Sequence, residues 1–160
     1  MTYSCSKSYF LCLLKPIEYN DDTSQKCSSG SRVLINFALC GIGVEIEGMN
    51  FWGVPMFMED CMSGKQEQLY AAIPEDTDVL VTHTPPYGIL DRDGSILYGS
   101  RELLGRVRFV RPRMHLFGHI HKSHGTLSDG VTVFSNAAIM DEGYDNMNAP
   151  NVSSLTVLAD

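Results

Sequence analysis

The 160-residue sequence has no histidine before His83, a single tryptophan, and no apolar run near the roughly 20 residues that a membrane span needs. Its longest early run, Tyr9 to Leu14, is six residues long and lacks a small-residue cleavage site, which reads against a secretory signal. Basic residues are scarce: 12 Lys and Arg face 19 Asp and Glu, and the net charge of −7 weighs against a nucleic-acid binder. No phosphate-cradling P-loop and no Gly-x-Ser-x-Gly turn occurs, which disfavours nucleotide hydrolysis on a P-loop and serine-hydrolase chemistry. The cysteines (Cys5, Cys12, Cys27, Cys40, Cys61) are odd in number, and no two are spaced as Cys-x-x-Cys. A disulfide framework or a structural zinc site wants close pairs, so these read as free thiols of a reducing cytoplasm.

What is present divides into two regions. Residues 1–42 show no sustained period, with loop-like stretches at Asn20 to Ser24 and Ser28 to Ser31, and only Arg32 to Leu39 reads as a strand or short helix. From Val44 the pattern sharpens. Val44-Glu45-Ile46-Glu47-Gly48 alternates apolar and acidic residues as a half-buried strand does, and Met49 to Val54 reads as its partner, ended by Pro55. Gln66 to Ile73 predicts a helix stopped by Pro74, and Val79-Leu80-Val81 a strand buried on both faces. Gly99-Ser100 opens a second helix with an apolar stripe of Leu103, Leu104, Val107 and Val110, closed by Arg111-Pro112. Strands are expected at Met114 to Phe117, Val131 to Phe134 and Ser154 to Leu158. The order predicts an α/β layered sheet with flanking helices and hairpins at both ends. The cluster Arg101, Arg106, Arg108, Arg111 and Arg113 reads as a solvated helix face, and Asp91-Arg92-Asp93-Gly94 as a turn, since the rest of a calcium loop is missing. Asn151-Val152-Ser153 matches a glycosylation acceptor, with no secretory context to give it meaning.

Two buried strands end in histidine: Val79 to Val81 runs into Thr82-His83-Thr84-Pro85-Pro86, and His115-Leu116-Phe117 into Gly118-His119-Ile120-His121. In open α/β sheets, ligands bind beyond the carboxyl ends of the strands. His119 and His121 lie two apart, so an extended segment points both rings to one side. Gly118 permits close backbone approach. Neutral imidazoles converging from two strand ends suit a divalent transition metal. His115 and His124 read as structural or solvent-facing.

Taken in order, Thr82-His83-Thr84-Pro85-Pro86-Tyr87-Gly88, Leu116-Phe117-Gly118-His119-Ile120-His121 and Phe134-Ser135-Asn136-Ala137 resemble the calcineurin-like metallophosphoesterases, in the small single-domain branch with a Thr-His-x-Pro-Pro box. The hairpin Gly48 to Pro55 resembles the same branch. The likeness covers residues 43–160, read as the C-terminal half of the family's αββα sandwich. It implies a hydrolase that cleaves phosphodiesters or phosphomonoesters with a water activated by two metal ions. It further implies that His83 and His119 bind one metal, that His121 binds the other, and that Asn136 stands beside the ligands. Manganese, iron, zinc and nickel all suit such a donor set.

The family's first half supplies an Asp-x-His box, a Gly-Asp box with the bridging carboxylate, and a Gly-Asn-His box, none of which occurs in this sequence. Two dications held about 3.5–4 Å apart need a bridging anion, so three imidazoles alone predict one weakly held metal or none. The expectation is therefore a phosphoesterase domain that is incomplete in this chain, acting on a phosphate-ester small molecule or nucleotide. The rival is a non-catalytic remnant that binds a partner or a single metal. Half of a two-sheet sandwich would also leave a sheet face open to self-association.

Overall fold

The computed structural model describes residues 42–155 except 47, 57, 142, 144 and 154. The expected irregular segment 1–42 thus lies outside the described residues save for its last position, as do Arg32 to Leu39 and, save for residue 155, the strand expected at Ser154 to Leu158.

The chain opens with a hairpin, β1 (Ile42–Ile46) against β2 (Met49–Val54), turned at Gly48, whose φ of 75° is left-handed. Pro55 follows and, having no N–H, ends β2 where the sequence predicts. Two short helices, α1 (Met58–Ser63) and α2 (Lys65–Ala71), lead to β3 (Val79–Thr82), which pairs parallel with β2. A small separate hairpin of β4 (Arg92–Asp93) and β5 (Ile96–Leu97) turns at Gly94, where only a lone turn is expected from the sequence. Helix α3 (Arg101–Val110) begins at Ser100, whose side chain accepts from Leu103 N at 3.0 Å, and ends at Arg111 in a left-handed cap. Strand β6 (Met114–Phe117), a 3-10 turn (His121–Ser123), β7 (Gly125–Ser128) and β8 (Val133–Asn136) complete the described chain.

The strands form one six-stranded sheet in the order β1-β2-β3-β6-β8-β7, four central parallel strands with an antiparallel strand at each edge. Residues Val54, Leu80, Phe117 and Phe134 pack with Tyr70 of α2, Ile73 just beyond it, and Leu103 and Val107 of α3, and these eight make the core. Each contributes about 1.5–3 kcal/mol of burial. The opposite face carries Phe51, Val81, Leu116 and Val133, each half-buried. The last β-strand of this sheet starts two residues later than the sequence predicts. Asp129 Oδ1 accepts from Val131 N and Thr132 N, and Thr132 Oγ1 donates to Pro112 O, so those residues form a turn and not a ladder.

Candidate metal centre

Strands β3 and β6 run parallel in register, with Val81 opposite Leu116, and the ladder continues one bond further, Gly118 N donating to His83 O at 3.1 Å. That bond sets His83 and His119 side by side beyond the strand ends. His83 Nε2 lies 3.1 Å from His119 Nδ1, with ring centroids 4.8 Å apart and planes tilted by 50°. Two facing imidazole nitrogens at this distance need one donor and one acceptor. Partial burial lowers both pKa values, with the charge of His119 adding to the effect on His83 and that of His121 to the effect on His119. Both shifts favour the neutral ring, the state that offers a lone pair to a cation.

His119 has φ of 71°, uncommon for a residue with a Cβ, and Ile120 N donates to Gly118 O at 2.9 Å. A bond from residue to residue-plus-two with positive φ between is a strained γ-turn. His121 leaves that turn with Nδ1 at 3.1 Å from the carbonyl of Asp141. A carbonyl only accepts, so Nδ1 carries a proton, the arrangement usual in metal-binding histidines. The turn that His121 begins is fastened to β4: Ser123 Oγ accepts from Arg92 N at 3.0 Å and donates to Arg92 O at 2.7 Å, while Lys122 pairs with Asp93 at 2.7 Å.

Of the residues singled out by sequence, His83 and His119 are brought into contact, and His121 is turned toward Asp141. Among the described residues no group of three or more His, Cys, Asp and Glu side chains stands in position to hold a metal. The pair has the spacing of two ligands of one ion. Two nitrogens bound at about 2.1 Å are separated by about 3.0 to 3.4 Å as geometry goes from right-angled to tetrahedral, which brackets the observed spacing. Asn136 is fully buried: Nδ2 donates to Leu90 O at 3.0 Å and to Ile120 O at 2.8 Å, and Oδ1 accepts from Ala138 N at 3.1 Å.

Several supporting residues are not legible as such in the sequence. Thr82 Oγ1 donates to Thr84 O at 2.7 Å and lies 2.9 Å from His115 Nε2, and Tyr70 OH meets Thr84 Oγ1 at 3.3 Å. Both neighbours of His83 are thus anchored in the core. His115, fully buried between Phe117 and Phe134, is structural, as its sequence context allows. Its burial lowers its pKa to about 3. In the loop after His83, buried Asp91 accepts from Gly88 N at 2.8 Å and Gly99 N at 3.0 Å, and Gly99 passes so close to Pro86 that a Cβ would lie 2.5 Å from its carbonyl. The arginine cluster disperses: Arg106 donates to Ile73 O, and Arg101 lies over the Tyr87 ring at 3.7 Å. The glycosylation-like Asn151 is spent internally, its amide donating to Gly125 O, Ser135 Oγ and Asn136 O.

No family model matches the chain. The UPF0046 protein K07C11.7 of Caenorhabditis elegans is 42% identical to it over 116 residues, covering 69% of this chain and 40% of that protein. Metallophosphoesterase domain-containing protein 1 of Homo sapiens is 44% identical over 86 residues, covering 52% of this chain and 26% of that protein, and its Mus musculus counterpart matches equally. The chain therefore spans 40% or less of the length of these curated relatives.

Proposed function

We propose, from the premise that this chain is related to the metallophosphoesterase family, that it carries part of a metal-dependent site for hydrolysing a phosphodiester or phosphomonoester. The observation that supports this reading is the contact of His83 Nε2 with His119 Nδ1 at 3.1 Å, at the carboxyl ends of adjacent parallel strands. The two imidazoles would hold one divalent transition ion, and His121, whose Nδ1 meets the Asp141 carbonyl, would have to turn toward them to join. An ion held there supplies Lewis-acid stabilisation of charge on phosphoryl oxygens. The chain's own part is orientation: Thr82 and Thr84 fix the backbone on either side of His83, and the γ-turn fixes that of His119. Turnover needs carboxylate ligands in addition to these imidazoles.

A second reading follows from the same pair. Two imidazoles without a bridging carboxylate hold a single ion weakly, so the chain would bind one cation and turn nothing over. Metal per chain after manganese loading, measured with hydrolysis of a chromogenic phosphodiester, separates the two. Near two metals, with turnover abolished by His119→Ala, carries the hydrolase reading. One metal lost in His119→Ala without turnover carries the second. Metal content unchanged by His83→Ala and His119→Ala sinks both.

A further inference from the structure

Gly118-His119-Ile120 is bracketed from both sides of β6. On the β3 side, Gly118 N donates to His83 O at 3.1 Å. On the β8 side, Asn136 Nδ2 donates to Ile120 O at 2.8 Å. The same amide donates to Leu90 O at 3.0 Å in the loop that follows His83, and Oδ1 accepts from Ala138 N at 3.1 Å. One fully buried carboxamide therefore ties together the loops after β3, β6 and β8.

We infer that Asn136 is the positioning residue of the histidine pair: its two N–H groups hold His119 in the γ-turn and keep His83 and His119 facing. The inference rests on the metal-site reading for its consequence, but its geometry does not. A non-glycine residue at φ of 71° persists only where its surroundings over-determine it. Gly118 N and Ile120 N already bond within the strand ends and the turn; Ile120 O accepts from Ser123 N at 3.2 Å in the turn that follows and from Asn136 Nδ2 at 2.8 Å, and the Asn136 bond is the shorter one and the one that reaches across to β8. No other side chain suits the position as well. Aspartate has the shape and the acceptor but no N–H, serine lacks the reach, and glutamine is a methylene too long for a fully buried site.

The test uses the full chain with Asn136→Asp and Asn136→Ser, the second standing in should the buried charge prevent folding. Asn148→Asp is the control, because Asn148 clasps Ala138 O and Met140 O in the same region without touching Ile120. Two readouts are taken: the histidine side-chain nitrogens by NMR without metal, and cobalt binding by its visible absorption. The expected result is loss of the His83–His119 hydrogen-bond signature and a cobalt affinity about 10–100-fold weaker with a shifted band, as outer partners of ligands give. Asn148→Asp should keep both while losing comparable thermal stability. A native histidine signature in a folded Asn136 variant overturns the inference. If the wild-type chain shows the paired signature and Asn136→Asp loses it, yet cobalt does not bind, the positioning role stands and the metal reading fails.

Discussion

Thr82 Oγ1 lies 2.9 Å from His115 Nε2 in the core, and the bond has one direction. The hydroxyl proton goes to Thr84 O at 2.7 Å, so the hydroxyl accepts and His115 Nε2 carries the hydrogen. His115 Nδ1 is then a buried lone pair without a partner, which leaves no favourable place for a second proton. Burial of the whole ring is what lowers its pKa to about 3, and the unpartnered Nδ1 offers nothing to offset it.

Stability should therefore depend on pH in a defined sense. The folded state resists protonating His115 until about pH 3, while the unfolded state takes the proton near the ordinary value of 6.5. Between those values the unfolded chain binds more protons, so stability falls as pH falls, by about 1.4 kcal/mol per unit at most for this one group. Urea midpoints at pH 7 and pH 5 measure it, and His115→Gln should flatten the profile by its share. Equal slopes in the two proteins would remove His115 from the account.

Gly99→Ala should destabilise the chain by about 1–3 kcal/mol, since a Cβ meets the Pro86 carbonyl carbon and oxygen at 2.5 Å and Tyr87 Cα at 2.6 Å, all backbone. Gly118→Ala meets Ala138 only at 3.8 Å and should fold with nearly unchanged stability. Thermal unfolding of both variants tests the contrast, and the idea fails if the two lose equal stability.

Asp91→Ala should cost about 2–4 kcal/mol by leaving Gly88 N and Gly99 N without their shared acceptor, and Asp91→Asn less, because one oxygen remains. Limited proteolysis between residues 84 and 100, alongside chemical denaturation, distinguishes a loosened loop from a loosened core. A cleavage pattern identical to wild type would contradict the role given to Asp91.

Ser123→Ala should release β4 with little global effect, because its hydroxyl serves both Arg92 N and Arg92 O at an exposed position. Amide exchange at Arg92 should accelerate about tenfold, corresponding to roughly 1.4 kcal/mol, while the core strands keep their rates. Unchanged exchange at Arg92 would mean that the Lys122–Asp93 pair or the hairpin itself holds the contact.

The central sheet was readable because its strands obey simple rules: Val79 to Val81 and Met114 to Phe117 are apolar runs, β1 alternates, and Pro55 and Pro112 stop what precedes them. Strand β7 was not, since Gly125–Ser128 lies at the sheet edge with Thr126, Leu127 and Ser128 exposed and has no buried parity to display. The two-residue strands β4 and β5 are too short for any period, and α1, six residues long, is too short to sustain one. The Gly-His-x-His segment and the Thr-His pair lie at the ends of β6 and β3, where the sequence places them. The turn at His119 could not be foreseen, because the bonds that flank its left-handed backbone, Gly118 N to His83 O and Asn136 Nδ2 to Ile120 O, arise only in the folded sheet.

His83 and His119 are 36 residues apart in sequence. Whatever bridges the two rings is therefore also a crosslink between distant points of the chain. In an unfolded chain, joining those points requires closing a loop of that size, an entropic cost that the folded sheet has already met by pairing β3 with β6. A ligand on the pair is thus a staple across the middle of the sheet, and its binding strength is at the same time a gauge of how firmly β3 and β6 hold their register.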